Sequence, residues 1–266
     1  MRRGKDDPNG PGKRTEAIFD AIREHGEVSA EQLAESLKVS VITIRRDLGA
    51  LAVRGLLKRT HGGAVAFEPL IYEAFPRDSS FQEQIHQQAE EKRRIGHAAA
   101  KLIGHEEVIA LSPGTTTVHV ARSIPLGRRV TVLTNTLNIA MELCRRSDLT
   151  IFVIGGQLRS GWFSLLGPMA TQSMRQMVVD KLFLGVKGVD PVRGATTYHP
   201  EEASLLNVMA QQARQIIVVA DHTKLGVVAN YVIPEPRRID LLVTDSSAPP
   251  QKVAAFRKKS IAVLLA

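Results

Sequence analysis

The sequence predicts an α/β chain in two parts, a small helical module closed by a hairpin and a larger domain built on a mostly parallel sheet. Three observations carry this. Ala17, Ile18, Ala21 and Ile22 recur at helical spacing near the start, and apolar residues of 41–53 do so again. From about residue 88, short β-branched runs alternate with amphipathic stretches, the pattern of parallel strands joined by helices. Between the two, residues 67–87 hold Pro69, Pro76, Asp78, Ser79 and Ser80 without any sustained period, as a linker does. The expected segments are therefore 13–66, 67–87 and 88–266.

Bulk properties narrow the class. Of 266 residues, 44% are hydrophobic and 23% charged, which suits a packed core under a soluble surface. No apolar run approaches the ~20 residues that span a bilayer. The opening MRRGKDDPNGPGKR lacks the apolar stretch of a secretion signal and reads as a disordered tail. Cys144 is the single cysteine, which excludes an internal disulfide and a cysteine-based zinc site. A cytoplasmic protein with no membrane contact, metal or cofactor is expected. The net charge of +8 suits a polyanionic partner. Its placement says more: residues 13–37 carry three basic against six acidic residues, whereas 38–66 carry six basic residues and Asp47 alone. The second stretch is suited to phosphate, with the first facing away.

Within the first module, a helix over 14–24 ends at Gly26. Ser29 stands in the N-cap position with Gln32 three residues on, so a short helix over 30–37 follows. Lys38 and Val39 make a tight turn, and Ser40 caps a third helix over 41–53. Val41, Ile44, Leu48 and Leu51 fall on one side of it. Ile42, Thr43, Arg45, Arg46 and Gly49 lie on or beside the other. GLLKRTHGGAV then reads as a hairpin turning at Gly62 and Gly63. Helix, short helix, turn, basic helix and basic hairpin follow one another in the order of a winged helix-turn-helix. The third helix suits a major groove, with Ser40, Ile42, Thr43, Arg45 and Arg46 nearest the bases and Lys58, Arg59 and His61 of the wing nearest the backbone. A basic face turned to solvent would show the same pattern.

VSAEQLAESLKVSVITIRRDLGAL and GLLKRTHGGAV resemble the signature of the DeoR family of transcriptional regulators. The match runs through Ser40, Thr43, Ile44, Arg45, Arg46, Asp47 and Leu48 and the wing residues Arg59 to Ala64. Asp47 turns toward the core side, where it would orient arginines or the wing. The resemblance implies a double-stranded DNA operator as partner and, on paired half-sites, a homo-oligomer.

In the second domain, strands are expected at 108–111, 130–133, 150–154, 181–186, 215–220, 240–244 and 261–265, and helices at 116–122, 137–145, 167–177 and 201–213. Ligands of such sheets gather at the carboxyl ends of the strands. After the first strand comes Ser112-Pro-Gly-Thr-Thr-Thr117, running straight into a helix whose free N–H groups and hydroxyls suit an anion. It is not a P-loop, and a plain helix cap has the same composition. Later strand ends carry Asn135, Gly155 and Gly156, Lys187 and Asp190, and Asp221 with Lys224. Each alone is an ordinary turn; five strand ends together suit one polar pocket.

EEKRRIGHAAAKLI, GTTT, TNTLNIA, LLGPMA, DKLFLGVKGVD, GATTYHPEEA and VVADHTKLG are similar to the DeoR-type sensor domain, whose fold in turn resembles ribose-5-phosphate isomerase. The resemblance implies a phosphorylated sugar-type effector that releases a repressor of sugar or sugar-derivative catabolism genes. Gly114, Thr115 and Thr116 would hold its phosphate. Asn135, Gly155, Gly156, Lys187, Asp190, Glu202 and Lys224 would complete the site, with Asp221 orienting Lys224. Two departures fall there: Ser112-Pro113 stands where the family has Asp-Ser, and Lys187 where many members have Asp. No catalytic residue is assigned. A sugar-phosphate isomerase would need a placed base, and a domain serving only to oligomerise would need no ligand. Phe75 and Phe81 are the linker residues suited to anchoring it.

Overall fold

The computed structural model describes residues 11–53, 56–66 and 80–266. It divides into two compact units, Met1–Glu68 and Pro69–Ala266. Of the expected tail at 1–14, residues 1–10 lie outside the described residues, as do Gly55 before the hairpin and 67–79 of the linker with Phe75, whereas 11–14 are not a tail but the first turn of a helix.

The first unit runs α1 (Pro11–His25), β1 (Glu27–Ser29), α2 (Ala30–Ser36), α3 (Val41–Val53), β2 (Leu57–Arg59) and β3 (Gly63–Ala66). Ser29 caps α2 as expected, its hydroxyl accepting the Gln32 N–H at 3.3 Å. Lys38, at φ 53°, makes the turn into α3. Ile18, Ile22, Leu33, Ile44, Leu48, Leu51 and Leu57 close one small core, while Val41 is only half-covered. The strand β1 was not expected. It is three residues long, too short for any period, and exists because β3 pairs with it on one side and with β2 on the other.

The second unit runs α4 (Ser80–Ile85), α5 (Ala89–Ala100), β4 (Val108–Leu111), α6 (Thr115–Arg122), β5 (Thr131–Thr134), α7 (Leu137–Leu143) and β6 (Thr150–Val153). It continues with β7 (Gln157–Arg159), β8 (Ser164–Leu166), α8 (Pro168–Arg175), β9 (Val179–Gly185), β10 (Gly188–Asp190), β11 (Gly194–Thr197) and α9 (Pro200–Gln212). Last come β12 (Ala213–Val219), β13 (Tyr231–Val232), β14 (Leu241–Thr244), α10 (Pro250–Lys258) and β15 (Ala262–Leu265). All seven strands read from the sequence join one parallel sheet, in the order β15-β14-β12-β9-β4-β5-β6. The small antiparallel pieces β7-β8 and β10-β11-β13 escaped that reading. Helix α4 falls inside the stretch expected as linker. It forms there because Phe81 is fully buried, edge-to-face with Phe163 at 5.4 Å and with Trp162 at 6.3 Å.

Strand alternation splits the core into two layers. Leu182, Leu184, Ile216 and Val218 face α8, α9 and α10, while Phe183, Ile217 and Val219 face α5, α6 and α7. The chain leaves β4 toward β5 and β6, then returns to place β9 on the other side of β4. That reversal is the topological switch point, and it opens a crevice beyond the carboxyl ends of β4 and β9.

Candidate functional site

The first candidate surface is built on α3. Ser40 accepts the Thr43 N–H at 3.1 Å, and the two hydroxyls lie 2.8 Å apart, so the start of α3 is capped and Thr43 is fixed. Ile42 is 80% exposed. Arg45 and Arg46 are exposed as well, as are Lys58, Arg59 and His61 of the hairpin. Arg45 is held by Glu31 at 3.0 Å, a pair open to water and therefore weak, which orients the guanidinium without sequestering it. Asp47 turns inward, as expected, but the arginine it holds is Arg14 of α1, at 2.5 Å. The pair is nearly buried and ties the basic helix to the first one. An apolar tip among cations suits a thymine methyl group beside guanine-reading arginines.

Arg46→Ala is expected to cost about 1–3 kcal/mol on the specific operator and to relax discrimination at one base position. Lys58→Ala should instead weaken all sequences alike and reduce the salt slope by about one. Binding isotherms over a salt series separate the two, and an Arg46→Ala protein that binds its operator like wild type would dismiss α3 as the reading helix.

The second candidate site lies at the switch point. Gly114, φ 150°, directs the chain from β4 into α6, and its backbone would not carry a side chain easily. Helix α6 has no side-chain cap, so the amides at its start are open to an anion. Gly114, Thr115 and Thr116 line a cleft with Lys187, Glu202, Asp221 and Lys224. The loop is locked to β9, because the Gly185 N–H donates to Ser112 Oγ at 2.9 Å. Ser112 is fully buried and does not line the cleft, so only Lys187 of the two departures alters the cleft's charge.

Lys187 faces inward. Its Nζ lies 3.7 Å from the centre of the Trp162 ring and donates to Gln84 Oε1 at 3.3 Å. Burial lowers its pKa to about 8, against the raising effect of Glu202. Lys92 also lines the cleft; it is 4% exposed, and its Nζ donates to the Gln84 main-chain oxygen at 2.6 Å. Burial lowers it to about 8 too, opposed by Asp221. Glu202 accepts the Thr197 hydroxyl at 2.8 Å and meets Arg159 at 3.7 Å. Asp221 accepts the N–H and the hydroxyl of Thr223.

Four expected residues are not brought here. Asn135 follows β5 but is buried, its Nδ2 donating to Leu165 O at 3.1 Å in support of β8. Gly155 and Gly156 follow β6, the outermost strand, with β5 between it and β4. A Cβ on Gly156 would meet Leu166 O at 2.4 Å, so that glycine serves packing. Asp190 closes the β10–β11 turn, accepting the N–H groups of Val192 and Arg193 at 2.8 Å. Lys92, Gln84 and Trp162 were missed. Lys92 stands in a run, EEKRR, that reads as a solvated face, and only the packing of α5 shows which cation is inward. Among the described residues no group of side chains is arranged to hold a metal ion, and no helix is long and apolar enough to cross a membrane.

Two family models match the chain: the DeoR-like helix-turn-helix domain over residues 14–69 and the DeoR C terminal sensor domain over 87–246. The chain is 34% identical over 233 residues to the HTH-type transcriptional repressor GlcR of Bacillus subtilis (strain 168), covering 88% of each. It is 30% identical over 240 residues to the glycerol-3-phosphate regulon repressor of Escherichia coli (strain K12), covering 89% of this chain and 92% of that one. Among solved structures, ribose 5-phosphate isomerase A of Methanocaldococcus jannaschii overlaps 52% of this chain and 55% of its own, at 16% identity and a TM-score of 0.38.

Proposed function

The chain belongs to the DeoR family of transcriptional regulators, and on that premise we propose that it is a cytoplasmic repressor of sugar or sugar-derivative catabolism genes, released from its operator by a phosphorylated sugar-type metabolite. The observation that carries the reading is the cleft at the switch point. It joins the uncapped start of α6 to Lys92, Lys187 and Lys224, a cationic lining that an anionic ligand relieves. The exposed cations of α3 and the hairpin supply the operator surface, which a homo-oligomer would present to two half-sites. The relatives' names agree with this, since both are repressors and one governs a glycerol-3-phosphate regulon. The cleft is read as a binding site and not as a catalytic one. Its carboxylates, Glu202 and Asp221, accept from the hydroxyls of Thr197 and Thr223 and face the cleft's lysines, which suits balancing their charge.

Thr115→Val tests the reading, since it removes a hydroxyl from the loop and keeps its shape. The expected protein binds operator normally and no longer lets go when a panel of sugar phosphates is added. Because coupling is reciprocal, operator should also weaken metabolite binding to wild type by the factor with which metabolite weakens operator binding. A Thr115→Val protein released like wild type would reduce the loop to a helix cap.

A further inference from the structure

Gln84 occupies the cleft in an unusual way. Its main-chain oxygen accepts from Lys92 and its side-chain oxygen from Lys187, so one neutral residue serves two ammonium groups. Both lysines line the one cleft, together with Lys224 and the carboxylates Glu202 and Asp221. Glu202 meets Arg159 at 3.7 Å and draws Lys187, Asp221 draws Lys92, and Lys224 repels both lysines.

An amide oxygen and a ring face stabilise an ammonium less than an anionic oxygen does. Resting on the reading of the cleft as a phosphate site, we propose that the effector carries a second anionic group, a carboxylate or a second phosphate, which takes Lys187 from Gln84. The first phosphate lies on Gly114, Thr115 and Thr116. A neutral sugar brings no anionic oxygen beyond that phosphate and leaves Lys187 on Gln84 and the Trp162 ring. Lys187 thus sets which class of sugar phosphate is recognised. The burial that pushes it down to about 8 is relieved when an anion arrives, so binding of the second group takes up proton at slightly alkaline pH.

The test titrates the full chain calorimetrically with inorganic phosphate, glucose 6-phosphate, 6-phosphogluconate and glucose 1,6-bisphosphate. The last three share a carbon skeleton and differ at the second group. At least one doubly anionic probe is expected to bind roughly tenfold or more tighter than glucose 6-phosphate; whichever leads tells carboxylate from phosphate. Lys187→Ala should collapse that ratio toward one, and Lys187→Arg should keep it. Trp162 is the only tryptophan, so its emission reports on Lys187 directly. The doubly anionic probe should shift it in wild type and much less in Lys187→Ala. The proposal is overturned if glucose 6-phosphate binds as tightly as the other two, or if Lys187→Ala weakens all three equally. If inorganic phosphate and all three sugars fail to bind, the phosphate reading of the cleft falls first and this proposal with it.

Discussion

Gly63→Ala is expected to abolish operator binding while leaving sugar-phosphate binding intact. A Cβ at this position would stand 1.8 Å from Val28 O, a backbone atom of β1 that cannot swing aside. Strands β1 and β3 would have to part, and β3 is the strand that joins β1 to the wing strand β2. Overpacking against backbone costs about 3 kcal/mol, and a unit this small has little stability to lose. Gly62→Ala is the control: nothing lies within 4 Å of its Cβ, and the change should be near neutral. Calorimetric scans show the outcome as early melting of the first unit in Gly63→Ala alone. Normal operator affinity in that variant would mean that β1 is dispensable to the wing.

Lys92→Met is expected to make the protein more stable and a worse receptor. In the folded chain burial lowers Lys92 from its ordinary 10.5 to about 8, so the native state resists the charge that the unfolded chain carries freely. Below pH 8 the penalty is full. Between pH 8 and 10.5 the unfolded chain binds more protons than the native one, so wild-type stability from this group rises with pH, and above 10.5 the penalty is gone. Asp221, Lys224 and Glu91 act on Lys92, and the Gln84 oxygen accepts from it. That lost hydrogen bond trims the gain to about 1–2 kcal/mol at pH 7. The difference in melting temperature between Lys92→Met and wild type should therefore be positive at pH 7 and fade toward pH 10.5. Affinity for sugar phosphate should fall at least roughly tenfold. A variant less stable at pH 7, or one that binds phosphate like wild type, would show that Lys92 is a structural cation.

Both effects turn on residues whose roles differ from their appearance in the sequence. Gly62 and Gly63 look alike as turn residues, yet only Gly63 is required, by a strand three residues long that no periodicity announces. Lys92 looks like its neighbours Arg93 and Arg94. The ends of β5, β6 and β10 look as suited to a pocket as those of β4 and β9.

Local pattern in the sequence carried the larger elements. Short β-branched runs located the seven strands of the parallel sheet, because a strand buried on both faces must be apolar throughout, and the edge strands β6 and β15 carry such runs although partly exposed. Capping residues located α2 and α3, because Ser29 and Ser40 satisfy amides within three residues of themselves. Helical period put Ile44, Leu48 and Leu51 inside, with Arg45 and Arg46 outside. Which strand ends share a crevice is not written in any local pattern. Strand order is set by long-range pairing, and it moved Gly155 and Gly156 to the sheet's edge while bringing Lys187 into the cleft that Gly114 lines. Helix packing decided the rest: the burial of Phe81 fixes α4 where Gln84 meets both lysines, and that burial depends on Trp162 and Phe163, some eighty residues along the chain.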